Sequence, residues 1–181
     1  MNLSPVKRLI LETMWLMSKP AKAKEIAEET GLGFPSVMMH IIGLTRMGYV
    51  QTPERGYYSI TEKGKRALGF PQINGKTAEK LLAYVPMDKA FHFYADVGKP
   101  LSVYATSLQD FCEKILKVDL ASIEFHANRG DFENWFNGLG DIELARKVFL
   151  LKGKASGEEL RRILYETVKN RCAELAALRL Q

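Results

Sequence analysis

The sequence is poor in the residues from which metal sites and disulfide frameworks are built. Its two cysteines, Cys112 and Cys172, lie far apart without a CxxC motif, and its three histidines are scattered along the chain. Because this spacing matches no zinc site, we expect neither a metal nor another cofactor. Two isolated cysteines are instead typical of buried, reduced thiols in a cytoplasmic protein.

Long apolar runs and phosphate-binding glycine loops are also missing. Lys7 and Arg8 precede apolar residues, but Glu12 interrupts that run, and no later run is long enough to cross a membrane. We therefore expect neither a signal peptide nor a membrane-spanning helix. The sequence contains no nucleophile elbow and no P-loop, which counts against the enzyme classes that depend on them.

Positive charge is concentrated near the amino terminus. Residues 1–70 contain ten Lys and Arg against six Asp and Glu, whereas residues 71–181 contain 16 against 15. An excess of basic residues in one part of the chain favours a polyanionic partner for that part. The content of 46% hydrophobic and 26% charged residues is otherwise that of an ordinary globular protein.

Residues 1–70 have the pattern of four helices and a hairpin. Ser4-Pro5 is a helix start, and a second short helix is predicted from Lys22 to Thr30. A third helix carries its apolar residues at i, i+4 and i+7 from Val37 and ends at Gly48. Two alternating segments, 49–52 and 57–60, then flank turn residues and predict a β-hairpin, after which Thr61 caps a fourth helix.

This order resembles the prokaryotic winged helix-turn-helix transcription regulators. The resemblance rests on His40-Ile41 with Leu44, on Gly48-Tyr49-Val50, and on the run YSITEKG at residues 58–64, which is similar to the Tyr-x-Leu/Ile-Thr-x-x-Gly signature of that class. It implies a DNA-binding domain over residues 1–70 that places its third helix in the major groove of double-stranded DNA. The hairpin is then the wing.

The candidate DNA-contacting residues lie on the outward face of the third helix, at the wing turn and on the flanking segments. They are Ser36, Met39, Ile42, Gly43, Arg46, Arg55, Lys22, Lys24, Lys63 and Lys65. The class usually has hydrogen-bonding residues at the base-facing positions, whereas this chain has Met39, Ile42 and Gly43. That departure leaves a second interpretation open, in which the same face binds protein.

The rest of the chain predicts an α+β fold, with a mixed α/β carboxy-terminal domain that is rich in helices. We expect a linker helix within 71–88 and a dimerisation or sensing domain over 89–181. A hairpin is predicted from Phe91–Val97 and Leu101–Ala105, and a further strand from the alternation of Ile123 and Phe125 with polar residues. Helices are expected after Ser107, Asp131, Asp141 and Ser156.

Three motifs in this half resemble a domain of uncharacterised archaeal proteins. They are ATSLQDF at 105–111, SIEFHANRGDFENW at 122–135 and LGDIELA at 139–145, so the resemblance spans about residues 90–165. The family has no assigned reaction. The resemblance therefore implies an archaeal origin and a mixed α/β module, without a function.

The middle motif carries the residues of a candidate ligand site, Glu124, His126, Arg129 and Asp131. On a strand, Glu124 and His126 would share one face at a separation of about 7 Å. An acid, an imidazole, a cation and a second acid can build an effector site or an acid–base catalyst. The same residues can also be structural, with Asp131 as a helix cap and Arg129 as an ion-pair partner.

The sequence as a whole predicts a cytoplasmic DNA-binding transcription regulator that forms a homodimer, with a carboxy-terminal domain that either dimerises or senses an unknown small-molecule effector. Leu11 and Trp15 point away from the other apolar residues of the first helix, so the second domain or a partner subunit is expected to cover them. They and the long last helix are the candidate dimer surfaces. The alternatives are a winged-helix module for protein contact and an enzyme that uses Glu124, His126, Arg129 and Asp131.

Overall fold

The computed structural model describes residues 3–180, which form two compact units with a division after Gln72. Within this range the chain is a mixed α+β protein that is mostly helical and contains small antiparallel sheets. A three-stranded sheet belongs to the first unit and a two-stranded sheet to the second.

The first unit alternates helices with short strands. Its elements are α1 (Pro5–Met17), β1 (Ala21–Lys22), α2 (Ala23–Thr30), α3 (Phe34–Arg46), β2 (Val50–Glu54), β3 (Tyr57–Ile60) and α4 (Glu62–Ala67). The strands are antiparallel in the order β1-β3-β2. The predicted helices and hairpin are confirmed, but α3 begins at Phe34, before Val37. Pro35 lies in its first turn, where the missing proline N–H leaves no hydrogen bond unmade.

The core of the first unit contains the apolar residues that the helical spacing selects. Val37, Ile41 and Leu44 of α3 are buried, as are Leu11 and Trp15 of α1. The Trp15 ring packs against Phe70 of the same unit, with 4.6 Å between the ring centroids. A partner subunit is therefore not needed to cover Trp15, because the chain itself buries it and Phe70, after α4, packs on it.

Thr61 and Gly64 join the base of the hairpin to the end of α3. The Thr61 hydroxyl donates a hydrogen bond to Gly48 O at 2.7 Å and accepts one from Gly64 N–H at 3.1 Å. Thr61 N–H also donates to Tyr49 O. A Cβ atom on Gly64 would collide with Tyr49 O and lie 2.7 Å from Ile60 Cγ1. The signature at residues 58–64 thus encodes a close packing of α4 on the hairpin.

The second unit contains six α-helices and a hairpin up to residue 180. Its elements are α5 (Gly75–Leu82), β4 (Phe91–Asp96), β5 (Lys99–Ala105), α6 (Leu108–Ile115), α7 (Leu120–Arg129), α8 (Asp131–Leu139), α9 (Ile142–Leu151) and α10 (Gly157–Arg179). Helix α10 packs against α5, α6, α7 and α9. The predicted hairpin is confirmed as β4 paired with β5. Helix α5 falls within the predicted linker, and its Ala78 and Leu81 are buried in the core of this unit.

The strand predicted around Ile123 and Phe125 is wrong, since residues 120–129 form helix α7. The buried residues Ser122, Ile123 and His126 lie at i, i+1 and i+4, which is the spacing of one helix face. Over five residues an alternating pattern and a helical pattern overlap, so the short apolar signal was assigned to the wrong period.

A buried ion cluster, formed by Arg171 with Asp141, Glu143 and Glu174, joins α9 to α10. The Arg171 guanidinium donates to both carboxylate oxygens of Asp141, at 2.8 and 2.9 Å, and to Glu143 at 2.9 Å. Arg171, Asp141 and Glu143 are each less than 5% exposed. Burial acts to lower the pKa of Arg171, but the hydrogen bond and charge of Asp141, with the other two carboxylates, raise it above its ordinary value.

Helix α9 consequently turns polar residues inward. Glu143 and Lys147 are buried, whereas Ile142 and Phe149 are exposed. Because its apolar residues fall on most sides of the helix, the sequence of α9 alone predicts a helix that is well buried. The cluster around Arg171 explains the difference, because it fixes the inward face by charge pairing and leaves two apolar side chains on the outside.

Candidate functional sites

The outward face of α3 is apolar at its centre and cationic at its end. Met39 and Ile42 are 62% and 46% exposed, and Arg46 is exposed in the last turn. Within residues 3–180, and apart from the local backbone of α3, no atom lies within 4 Å of the position that a Cβ on Gly43 would take. Ser36 is half-buried in the first turn. The predicted contact residues of this helix thus border one accessible surface, apart from the partly covered Ser36.

The basic side chains that were predicted to contact DNA differ in whether they already have partners within the first unit. Lys63 donates to Met47 O at 2.9 Å and so caps the end of α3, while Lys65 pairs with Glu62 at 3.2 Å. These lysines have structural roles that the sequence did not reveal. Within residues 3–180, no carboxylate lies within ion-pair distance of the three other cations on helices α2 and α3 and at the hairpin turn, namely Lys24, Arg46 and Arg55. Lys22 lies over the Tyr57 ring at 5.4 Å.

His126 lies at the centre of the candidate ligand site in the second unit and is 3% exposed. Its Nε2 accepts a hydrogen bond from Tyr94 N–H at 2.8 Å, so Nε2 carries no proton. The proton is therefore on Nδ1, which donates to Asp131 Oδ2 at 2.7 Å. Burial lowers the pKa of His126, against the opposing effect of Asp131. With both nitrogens engaged, this imidazole has no free lone pair for use as a general base.

Asp131 and Arg129 lie beside His126, as the sequence predicted, but Asp131 does not cap a helix. Gly130 is the N-cap of α8, and Asp131 occupies the first turn. The Asp131 side chain instead accepts from His126 and from Arg129 Nε, the latter at 3.1 Å. The Arg129 guanidinium stacks over the Phe125 ring at 4.8 Å. These contacts place a cation and a carboxylate side by side at the end of α7.

Glu124 does not join this group. On helix α7 it lies on a different face from His126, and its Oε1 accepts a hydrogen bond from Gly157 N–H. It therefore caps the amino terminus of α10, where Ser156 makes no side-chain cap. The predicted four-residue constellation is reduced to His126, Arg129 and Asp131. The correction follows directly from the helical period of α7.

The second unit has one cavity at these residues and a larger one away from them. One of ≈300 Å³ lies between the β4–β5 hairpin and α7, and its lining includes His126, Arg129 and Asp131. The other, of ≈540 Å³, lies against β5 and is lined by residues that include Val118, Lys114 and Lys117. Lys114 pairs with Asp110 at 3.3 Å. The sequence indicated the first cavity through its distinctive motif and gave no sign of the second.

His126 makes the stability of the fold depend on pH. Its pKa is lowered in the folded chain, so the unfolded chain binds the proton more tightly. The stabilisation that neutral His126 gives to the fold is complete above the pKa of the unfolded histidine, about 6.5. It is lost as the pH falls toward the lower pKa of the folded chain. We expect His126→Ala to lower the free energy of unfolding by about 1–3 kcal/mol at pH 8, because Tyr94 N–H and Asp131 lose their partner.

The measurement to make is the difference in unfolding free energy between wild type and His126→Ala. Groups that titrate alike in both proteins contribute equally to both values and cancel in this difference. Urea titrations from pH 8 to pH 5 should show this difference narrowing as the pH falls below about 6.5. His92→Ala provides the control, because His92 is exposed. A difference that is constant or grows toward low pH would contradict the neutral, buried state of His126.

The structure adds two observations on the expected absences. No group of three or more His, Cys, Asp or Glu side chains that could hold a metal ion occurs in residues 3–180. Over the same range, no helix has the length and apolar character needed to cross a membrane. Cys112 and Cys172 are both buried and free. The hydrogen bond with Cys172, together with burial, raises the pKa of the Cys112 thiol well above its usual range.

Comparison with known proteins relates part of the chain to an archaeal protein. A stretch of 47 residues is 49% identical to an uncharacterized protein of Methanocaldococcus jannaschii. That stretch covers 26% of this chain and 18% of the relative. No family model matches the chain, and no solved structure matches it. The match agrees with an uncharacterised archaeal relationship and assigns no activity.

Proposed function

We propose that this protein is a DNA-binding transcription regulator whose first unit is a winged helix-turn-helix. The observation that carries the proposal is the order α1-β1-α2-α3-β2-β3 with the sheet order β1-β3-β2. In this arrangement α2 packs on α3, and the hairpin follows α3 directly, as a recognition helix and wing require. The excess of basic residues in 1–70 also favours a polyanionic partner.

In the proposed complex α3 enters the major groove of the duplex. Arg46 then reaches a phosphate or a base edge, and Arg55 at the hairpin turn reaches the minor groove or its flanking phosphates. Because Met39 and Ile42 occupy the centre of the exposed face, affinity rests on phosphate contacts more than on hydrogen bonds to bases. Sequence preference is therefore modest or depends on DNA shape.

A second candidate function is protein binding through the same face. It is favoured by the exposure of Phe34, Met39 and Ile42, which are 51%, 62% and 46% accessible. Exposed apolar side chains on one helix are typical of helix-in-groove contacts. The two functions differ in their response to salt, because duplex binding releases counterions and apolar docking does not.

We further propose that the regulator is a cytoplasmic homodimer. A two-fold arrangement would present two recognition helices to half-sites about 34 Å apart on the duplex. Leu11 and Trp15 are buried within the chain, as are Leu160, Leu164 and Val168 of α10. These two surfaces, which the sequence had suggested, are therefore occupied by internal packing. Ile142 and Phe149 on α9 are exposed apolar side chains in the second unit.

Fluorescence anisotropy with a duplex of about 25 base pairs tests the proposal. We expect binding that weakens steeply with salt. Arg55→Ala should weaken binding to all sequences alike and lower the salt slope by about one, since one phosphate contact is lost. Arg46→Ala should weaken binding as well, and more strongly for some sequences if Arg46 reaches a base edge.

Arg179→Ala is the matched control, because it removes an exposed arginine from the second unit. It should leave both the affinity and the salt slope unchanged. If the Arg46→Ala/Arg55→Ala double variant binds duplex with the affinity and salt dependence of wild type, α3 and the hairpin do not dock DNA. Binding that is insensitive to salt would favour the protein-contact function.

A further inference from the structure

The cavity beside α7 has polar atoms that no protein group satisfies. It measures ≈300 Å³, which is at the lower end of the size range of small-molecule sites. Phe91, Val97 and Phe125 contribute apolar walls, and Arg129 and Asp131 contribute charge. A cavity that is mostly apolar and contains a few convergent polar groups is the usual form of a site for a small ligand.

Arg129, which lines this cavity, uses one of its five N–H donors within residues 3–180. Its Nε donates to Asp131, and its guanidinium plane is supported by the Phe125 ring. Within residues 3–180, neither Nη group has an acceptor within hydrogen-bond distance. The two Nη groups form a planar fork that matches the geometry of a carboxylate. Because the guanidinium plane is already held in place, the arginine side chain loses less conformational entropy when it binds one.

Asp131 uses only one of its two carboxylate oxygens for hydrogen bonds within the described part of the chain. Its Oδ2 accepts from both His126 Nδ1–H and Arg129 Nε, at 2.7 and 3.1 Å. In the described part of the chain, no donor lies within hydrogen-bond distance of Oδ1. The Asp131 side chain is 26% exposed, so Oδ1 remains open to an incoming donor. A charged donor such as an ammonium group forms a stronger hydrogen bond with a carboxylate than a neutral donor does.

The charge of the site selects between ligand classes. Arg129 and Asp131 compensate each other, and His126 is neutral because its unprotonated Nε2 accepts a hydrogen bond from Tyr94 N–H. A ligand with a net negative charge would meet the Asp131 carboxylate, and one with a net positive charge would meet the Arg129 guanidinium. A ligand with both charges avoids each repulsion and satisfies both free groups.

We propose that this cavity binds an apolar α-amino acid as its zwitterion, with the ligand carboxylate on the Arg129 Nη groups and the ligand ammonium on Asp131 Oδ1. The ligand side chain lies against Phe91, Val97 and Phe125. This inference rests on the proposed function in that it names the effector class of the regulator, but the binding itself does not require DNA.

Isothermal titration calorimetry on the full chain without DNA tests the inference. Each of the common amino acids is used as a probe, and leucine is compared with 4-methylpentanoate and 3-methylbutylamine, which each lack one charge. We expect at least one apolar amino acid to bind, and its deaminated and decarboxylated analogues to bind at least about tenfold more weakly. Absence of amino-acid binding, or equal binding of the analogues, would overturn the inference.

Arg129→Gln identifies the site, since it removes the fork from a side chain that is half exposed. It should weaken the binding of the amino acid at least about tenfold, while Arg46→Gln in the first unit should leave it unchanged. Equal affinity in the Arg129→Gln variant would place the ligand elsewhere and overturn the inference. A protein that binds the amino acid but no duplex would overturn the proposed function and leave this inference intact.

Discussion

Replacing Arg171 by methionine should lower the free energy of unfolding of the second unit by about 3–5 kcal/mol. Methionine fills much of the space of the arginine stem but removes the charge that Asp141 and Glu143 share. Both carboxylates are almost fully buried, at 0% and 4% exposure, so water cannot replace the guanidinium. The variant therefore deprives two buried carboxylates of the guanidinium that they share.

Two features of the chain make this measurement specific. Trp135 lies in the second unit and Trp15 in the first, so a Trp15→Phe background reports urea unfolding of the second unit by fluorescence. Arg162→Met is the matched control, because Arg162 lies on the same helix and pairs with Glu159 and Glu166 in solvent. It should leave the unfolding free energy close to that of wild type, because solvent screens an exposed ion pair.

The pH dependence supplies a second readout for Arg171→Met. Without the guanidinium, the buried carboxylates lose the positive charge that stabilises their ionised form. The deficit in stability should accordingly shrink as the pH is lowered and the carboxylates become neutral. A loss below about 1 kcal/mol, or a deficit that does not depend on pH, would show that the charge pairing contributes little to the fold.

Gly64→Ala should lower the free energy of unfolding of the first unit by about 1–3 kcal/mol, through overpacking. Gly64 lies within helix α4, where alanine is intrinsically preferred by up to about 1 kcal/mol. The added methyl group, however, collides with Tyr49 O and approaches Ile60 Cγ1 to 2.7 Å. A backbone oxygen cannot rotate away as a flexible side chain does, so the collision outweighs the helix preference.

Gly43→Ala is the control for this prediction. Gly43 also lies within a helix of the first unit, but in the described part of the chain, apart from the local backbone of α3, no atom lies within 4 Å of its would-be Cβ. This variant should be as stable as wild type or more stable, by up to about 1 kcal/mol. Fluorescence of Trp15 in a Trp135→Phe background follows the unfolding of the first unit. If Gly64→Ala is at least as stable as Gly43→Ala, the close packing of α4 on the hairpin is not rigid.

The sequence predicted the elements of the first unit well because their signals are local. Ser4 caps α1 with its side chain, Gly31 ends α2 in a left-handed conformation, and Thr61 caps α4. In each case one residue type is required by the backbone at that point. The candidate contact residues on α3 were predictable for the same reason, since helical periodicity alone decides which side chains face outward.

The second unit was less predictable because its decisive contacts are distant in the chain. Helix α7 was mistaken for a strand over a segment too short to separate the two periods. Arg171 lies three residues after Val168 on the buried face of α10. This helical spacing could have indicated that Arg171 is buried. Its partner Asp141 was recognised only as a helix cap. Asp141 both caps α9 and pairs with Arg171. The second role depends on the packing of α9 on α10, which no local pattern encodes.

The hydrogen bonds of Thr61 also determine how the first unit meets a partner. Since they fix the hairpin base to the end of α3, the positions of Arg46 and of the hairpin turn are correlated before any partner arrives. The surface is preorganised, and docking need not order one element relative to the other. Little conformational entropy is then lost on association, so that even a small number of cationic contacts can yield measurable affinity.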